Sequence, residues 1–165
     1  MGRSIYCVVT AAGSGTRLGH NEPKALVDLA GKPILHHALR SLEPLADLAG
    51  VAITAPANYL QTFTQIAREA TLSYPWTVLP GGSSRQKSVY EGLKGLLSFE
   101  PGNGQLPAND PTAIVLIHDA ARALTPIDQF ERVCQAVESG CPAVVPATEL
   151  IDTVREVKGD TFTRQ

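Results

Sequence analysis

Near the start of the chain stand Ile5-Tyr6-Cys7-Val8-Val9-Thr10-Ala11-Ala12-Gly13-Ser14-Gly15-Thr16-Arg17. The apolar residues 5–9 predict a buried strand. Gly13 and Gly15 allow a tight turn and leave the backbone N–H groups uncovered by side chains. Arg17 lies inside this turn, and Lys24 follows seven residues later, directly after Pro23. Uncovered amides beside two cations predict a site for a polyphosphate.

Further apolar runs alternate with helical patterns along the chain. Residues 51–55, 76–79, 113–117 and 143–145 predict strands, and apolar residues at helical spacing predict helices over 34–42, 60–67 and 89–97. A fourth helix is predicted to begin with Thr125 as its N-cap and Pro126 in its first turn. This alternation predicts an α/β fold of three layers around a mostly parallel sheet.

Length and composition indicate one globular domain, spanning residues 1–165. Apolar residues make up 44% of the chain and charged residues 18%, and the formal net charge is −2. Because no overall basic field exists, we expect neither nucleic acid nor a membrane as a partner. Three cysteines without a C-x-x-C pair and the lack of a signal-peptide pattern at the N-terminus predict a reduced, cytoplasmic protein.

A second glycine-rich turn links the strand over 76–79 to the next helix. It comprises Pro80-Gly81-Gly82-Ser83-Ser84-Arg85-Gln86-Lys87-Ser88. Its amides, with Ser88 near the helix start, are suited to reading a base or a phosphate. The alternative is an ordinary helix N-terminus with Ser83 or Ser84 as the cap.

A carboxylate follows the strand over 113–117, in the stretch His118-Asp119-Ala120-Ala121-Arg122. Because the carboxyl ends of parallel strands meet at one edge, we expect Asp119 beside both glycine-rich turns. One carboxylate together with phosphate oxygens suits Mg²⁺. The alternatives are that Asp119 caps the following turn and that His118 is a hydrogen-bonded core histidine.

Other nucleotide and catalytic motifs do not fit. Leu18 occupies the third glycine position of the dinucleotide pattern G-x-G-x-x-G, and no Gly-Lys-Ser/Thr completes a P-loop. Zinc is not expected because His36 and His37 are adjacent on a helix without a cysteine pair. No G-x-S-x-G turn indicates a serine nucleophile.

Two segments depart from the alternation of strands and helices. Residues 100–111 are rich in proline, glycine and asparagine and predict a surface loop. In residues 151–162, polar and apolar side chains alternate around Lys158-Gly159-Asp160, and this pattern predicts a β-hairpin. It has too few apolar residues to bury itself, so we expect residues 151–165 to form an arm that reaches a partner subunit.

Together these motifs resemble the sugar-phosphate nucleotidyltransferases, and most closely the 2-C-methyl-D-erythritol 4-phosphate cytidylyltransferase family. The matching stretches are Ala11 to Arg17, Pro23-Lys24, Gly81-Gly82 with Arg85 and Ser88-Val89, His118 to Arg122, and Asp152-Thr153. The resemblance implies a Rossmann-like nucleotidyltransferase fold with a protruding hairpin arm, and a homodimer joined by that arm. It also implies Mg²⁺ as cofactor, with CTP and a sugar-alcohol phosphate as substrates.

The resemblance also implies a role for each residue that matches. Arg17 and Lys24 would be catalytic, and Asp119 would hold the metal and contact the substrate with Arg122 and Thr153. The implied nucleotide-binding residues are Ala11, Ala12, Gly13, Gly15, Gly81, Gly82, Arg85, Ser88 and Ala120.

Several positions depart from the family pattern. Thr10 stands where proline is frequent, and Ser83 replaces an acid found in some members. The sequence lacks the family's downstream substrate-orienting residues, so its C-terminal part is expected to be absent. Two alternatives therefore remain open: a ribitol-5-phosphate cytidylyltransferase, and a truncated, non-catalytic nucleotide-binding module.

Overall fold

The computed structural model describes residues 3–13, 22–97 and 112–149, and the backbone of residues 157–158 and 161–162. In chain order its elements are β1 (Ile5–Thr10), β2 (Asp28–Leu29), β3 (Lys32–Pro33), α1 (Ile34–Arg40), β4 (Leu48–Ala55), α2 (Leu60–Glu69), β5 (Trp76–Pro80), α3 (Arg85–Leu97), β6 (Ile114–Asp119), α4 (Ile127–Glu138), β7 (Val157–Lys158) and β8 (Thr161–Phe162). No helix in these ranges is long and apolar enough to cross a membrane.

A parallel sheet with the strand order β5-β4-β1-β6 forms the centre of the domain. β1 is flanked on both sides, and its last residue, Thr10, stands opposite Thr54 of β4 and Asp119 of β6. The end of β1 therefore lies between the ends of its two neighbours. This register brings residues far apart in sequence to one edge of the sheet.

Helices cover the two faces of the sheet. Alternate residues of β1 such as Cys7 and Val9 join a large core with residues of α1, α2 and α4. Tyr6 and Val8 point to the opposite face, where they pack with Leu96 of α3. α3 approaches this face closely because Gly92 has no side chain: a Cβ there would overlap with Val8. The predicted three-layer α/β fold with a mostly parallel sheet is confirmed.

Most of the predicted elements are present, and two details are corrected. Thr125 is not the N-cap of α4: Pro126 holds that position, and the Thr125 hydroxyl donates to the Arg122 carbonyl of the preceding turn at 2.9 Å. Residues 143–145 are not a strand, and Val145 is 85% exposed. Pro142 and Pro146 flank this run, and neither can donate to a strand ladder.

β7 and β8 pair in antiparallel fashion, which confirms this part of the predicted hairpin. The rest of the predicted arm (residues 151–156, 159–160 and 163–165) and the predicted loop over 100–111 lie outside the described residues.

Candidate functional site

The turns that follow β1, β5 and β6 meet at the carboxyl edge of the sheet. The first amide of each turn extends the ladder of a neighbouring strand. Ala11 N–H donates to the Thr54 carbonyl at 3.0 Å, Gly81 N–H to the Ala55 carbonyl at 2.8 Å, and Ala120 N–H to the Thr10 carbonyl at 3.1 Å. The backbone at the start of each turn is therefore fixed by the sheet.

The two glycine-rich turns touch each other at Gly81. A Cβ at this position would overlap with the Cβ of Ala12 and would lie 3.1 Å from the Ser88 Oγ. Neither the added Cβ at residue 81 nor the Cβ of Ala12 can rotate away, because each is bonded directly to the backbone. Gly81 is therefore required for the close approach of the two turns.

We expect Gly81→Ala to lower the free energy of unfolding by about 1–3 kcal/mol, as overpacking of a well-packed site does. Urea denaturation measures the change. Gly13→Ala is the matched control, because no atom of the described residues lies within 4 Å of a Cβ at Gly13, and its stability should change by less than about 1 kcal/mol. Equal stability of Gly81→Ala and the wild-type protein would contradict the proposed contact.

Ser88 fixes the shape of the second turn. It lies in the first part of α3 and is 4% exposed. Its Oγ accepts a hydrogen bond from the Gly82 N–H at 3.1 Å and donates to the Ser84 carbonyl at 3.0 Å. Ser84 caps the helix, since its Oγ accepts from the Lys87 N–H at 3.1 Å. The capping role given as the alternative for this turn is thus present at Ser84.

Asp119 is the centre of a charged cluster. Its Oδ1 accepts hydrogen bonds from the Thr10 hydroxyl at 2.8 Å and from the Arg85 Nε at 2.9 Å, and the Arg85 Nη2 is also 2.9 Å away. Its Oδ2 faces the Arg122 Nε at 3.8 Å. The side chain thus contacts neighbouring groups from β1 and α3, and within the described residues it makes no capping hydrogen bond to the turn that follows.

These contacts keep Asp119 ionised. Burial on its own would raise the pKa of the Asp119 carboxyl, but hydrogen bonds from Arg85 and Thr10 lower it, as do the positive charges of Arg85 and Arg122. The net shift of the pKa is downward. In the part of the chain that the structure describes, no group of three His, Cys, Asp or Glu side chains is placed to hold a metal ion.

His118 belongs to the core, but within the described residues its Nε2 does not make the hydrogen bond that the alternative for this stretch predicted. It is 5% exposed and its ring packs edge-on against Phe130 of α4, with centroids 5.0 Å apart. Its Nε2 has no hydrogen-bond partner among the described residues. Burial lowers the pKa of His118 from 6.5 to about 4, because a charged imidazolium would lack solvation there.

The pKa of His118 predicts a loss of stability in mild acid. The unfolded chain takes up this proton near pH 6.5, whereas the folded chain takes it up near pH 4. We therefore expect the contribution of His118 to the free energy of unfolding to decline by up to about 3 kcal/mol as the pH falls from 6.5 to 4. Urea denaturation across this range would show it. In His118→Gln this part of the pH dependence should vanish; an unchanged pH profile in that variant would contradict the prediction.

Lys24 lies on a short 3-10 turn, Lys24–Leu26, between β1 and β2. The next residue, Ala25, is 3% exposed and belongs to the main core, whereas the Lys24 side chain is exposed. The turn closes with a hydrogen bond from the Leu26 N–H to the Pro23 carbonyl at 2.9 Å. Burial of Ala25 thus leaves Lys24 facing solvent on a fixed backbone.

The structure brings most of the predicted site residues to one edge. On the turns after β1, β5 and β6, or at the adjoining ends of β6 and α3, lie Ala11, Ala12, Gly13, Gly81, Gly82, Arg85, Ser88, Asp119, Ala120 and Arg122. Gly15, Arg17 and Thr153 lie outside the described residues. The sequence does not indicate that Thr10 contacts Asp119, because the pairing of β1 with β6 has no local signal.

Comparison with known proteins identifies relatives for nearly the whole chain. A family model described as 2-C-methyl-D-erythritol 4-phosphate cytidylyltransferase matches residues 5–164. A protein of that name from Streptomyces avermitilis is 40% identical over 159 residues, which cover 95% of this chain and 59% of the relative. Another from Streptomyces coelicolor is 40% identical over 153 residues, covering 92% of this chain and 52% of the relative. The chain thus spans little more than half the length of these relatives.

Solved structures share the fold. A crystal structure of 4-diphosphocytidyl-2C-methyl-D-erythritol synthase from Anaerococcus prevotii superposes with a TM-score of 0.73 at 23% identity, covering 97% of this chain and 62% of that one. A second crystal structure of a synthase of this name gives a TM-score of 0.74 at 18% identity and covers 99% of this chain and 68% of its own. At these identities the likeness concerns the fold alone.

Proposed function

The chain belongs to the 2-C-methyl-D-erythritol 4-phosphate cytidylyltransferase family, and on this premise we propose that the protein transfers CMP from CTP to 2-C-methyl-D-erythritol 4-phosphate in isoprenoid precursor synthesis. The observation that carries the proposal is the ionised Asp119, held between Arg85 and Arg122 at the sheet edge where both glycine-rich turns meet. An anion surrounded by cations and backbone amides suits a metal–triphosphate complex.

The proposed reaction is an in-line displacement at phosphorus. A phosphate oxygen of the sugar-alcohol phosphate attacks the α-phosphorus of CTP, a new P–O bond forms, and the bond to the β-phosphate breaks to release pyrophosphate. A phosphate monoester is already largely ionised at neutral pH, so the attack requires no general base. Catalysis then depends on positioning and on charge stabilisation.

Each residue has a proposed part in this reaction. Arg17 and Lys24 stabilise the negative charge that develops on the nonbridging and leaving oxygens. The nucleotide lies against Ala11, Ala12, Gly13, Gly15, Gly81, Gly82, Arg85, Ser88 and Ala120. The sugar-alcohol phosphate contacts Asp119, Arg122 and Thr153.

The residues present are compatible with Mg²⁺ as cofactor. Asp119 is ionised, and within the described residues its Oδ2 receives no hydrogen bond. Mg²⁺ commonly binds through one or two carboxylates and takes its other ligands from phosphate oxygens and water. Asp119 would hold the ion, which when bound supplies positive charge that neutralises the triphosphate.

We also propose that the protein is a cytoplasmic homodimer in which residues 151–165 contact the partner subunit. The pairing of β7 with β8 supports an extended hairpin in this part of the chain. The net charge of −2 supports the absence of nucleic-acid and membrane partners.

Pyrophosphate release tests the proposed activity. Each of the four ribonucleoside triphosphates is supplied with 2-C-methyl-D-erythritol 4-phosphate or with ribitol 5-phosphate, in the presence of Mg²⁺. We expect release with CTP and the methylerythritol phosphate. Release with ribitol phosphate alone would replace the proposed substrate, and CTP binding without release from either substrate would indicate a non-catalytic nucleotide-binding module.

A further inference from the structure

The two carboxylate oxygens of Asp119 have different surroundings. Three donors converge on Oδ1: the Thr10 hydroxyl at 2.8 Å, the Arg85 Nε at 2.9 Å and the Arg85 Nη2 at 2.9 Å. Among the described residues, Oδ2 has one charged neighbour, the Arg122 Nε, and the separation of 3.8 Å is too long for a hydrogen bond. Within the described residues, one oxygen is thus engaged in hydrogen bonds while the other makes none.

The donors come from separate elements, which fixes the direction of the carboxylate. Thr10 ends β1 and stands opposite Asp119, which ends β6, so their side chains lie on the same face of the sheet. Arg85 begins α3, which packs on that face. Arg85 is a long side chain that is 59% exposed, whereas the Thr10 hydroxyl is only two bonds from a backbone held in the sheet. Thr10 is therefore the more rigid of the two donors.

We propose that Thr10 is a positioning residue, whose hydroxyl fixes Asp119 so that Oδ2 faces the divalent cation of a metal–nucleotide complex. This inference rests on the proposed function, and it adds a residue that influences metal binding through Asp119. The contact depends on the Thr10 hydroxyl, because the rest of this side chain is apolar.

Threonine offers closely matched variants for the test. Thr10→Val keeps the branched shape and removes the hydroxyl, whereas Thr10→Ser keeps the hydroxyl. Thr54→Val is the control, because Thr54 stands opposite Thr10 on β4, is fully buried, and its hydroxyl has no hydrogen-bond partner among the described residues. Removing an unpaired buried hydroxyl is close to neutral or stabilising.

Two measurements test the effect of Thr10 on metal binding. The first is the Mg²⁺ concentration that gives half-maximal pyrophosphate release at saturating CTP and methylerythritol phosphate. The second is the binding of Mn²⁺ by the protein with a non-hydrolysable CTP analogue, followed by electron paramagnetic resonance. We expect Thr10→Val to raise both the half-saturating Mg²⁺ concentration and the Mn²⁺ dissociation constant about ten- to hundredfold, as loss of an outer-shell partner does. Thr10→Ser should stay within about threefold of the wild-type protein, and Thr54→Val should match it.

The outcomes separate this inference from the proposed function. If the wild-type protein transfers CMP while Thr10→Val shows unchanged Mg²⁺ and Mn²⁺ dependence, the role of Thr10 is wrong and the proposed function stands. The role is equally wrong if Thr10→Val loses rate to the same extent at every Mg²⁺ concentration with normal Mn²⁺ binding, since that indicates a structural role. If the wild-type protein neither binds Mn²⁺ with the CTP analogue nor releases pyrophosphate, the proposed function itself fails.

Discussion

Lys24→Ala is expected to lower the rate constant of CMP transfer by about 10²–10³-fold, with a smaller effect on the KM for CTP. The reason is that a fixed cation stabilises charge mainly where it develops, on the oxygens of the transition state, and removal of one such group typically costs this factor. The backbone at Lys24 is fixed by the burial of Ala25 in the core, so the substitution should leave the fold intact. Steady-state kinetics of pyrophosphate release measure both constants.

Lys94→Ala serves as the matched control for Lys24→Ala. Lys94 is also an exposed lysine, but it lies in the last turn of α3, at the opposite end of that helix from the candidate site, and pairs with Glu91 at 3.2 Å. The variant carries the same change of charge and should keep wild-type kinetics. Near-normal turnover of Lys24→Ala would show that Lys24 takes no part in the proposed reaction.

Arg17→Ala is expected to lower the rate constant of CMP transfer on the same scale.

Asp119→Asn is expected to lower kcat/KM roughly a thousandfold while leaving thermal stability nearly unchanged. The substitution removes the carboxylate proposed to hold Mg²⁺ and leaves Arg85 and Arg122 without their anion. Because a bound metal ion stabilises the charge of such a transition state by several kcal/mol, its loss should slow the reaction strongly. The stability effect is small, because the side chains of this cluster are partly exposed and such ion pairs contribute about 0–1 kcal/mol.

The control for Asp119→Asn is Asp128→Asn. Asp128 forms an ion pair with Arg132 at 3.3 Å on the exposed side of α4, so the chemical change is the same in an ion pair separate from the Asp119 cluster. Pyrophosphate release and thermal unfolding are measured on both variants. Parallel losses of melting temperature and activity in Asp119→Asn would show that the residue supports the fold rather than the reaction.

Much of the fold could be predicted because its signals are local. Apolar runs and helical spacing placed the four strands of the parallel sheet and the four helices to within a few residues. The errors lie where local signals compete. Thr125 and Pro126 resemble a helix start, yet the Thr125 hydroxyl bonds to the preceding turn. Residues 143–145 are apolar, but the prolines on either side deprive them of ladder donors.

The sequence predicted that several residues of the candidate site meet at one edge, whereas most of the contacts between them could not be predicted. Gly81, Gly82 and Asp119 were expected at one edge, because the carboxyl ends of parallel strands meet there. That Gly81 touches Ala12 and that His118 faces Phe130 depend on how separate elements pack. No pattern within a window of a few residues records these distances.

The sequence by itself determined the alternation of strands and helices, the two glycine-rich turns and the position of Asp119 near the end of its strand. These follow from side-chain period and turn chemistry, which act over a few residues. The tertiary structure alone decided which oxygen of Asp119 is engaged, because its partner Thr10 is 109 residues away in the chain. Such a contact exists only once β1 and β6 pair in register, and that register is set by the packing of the whole sheet between its helices.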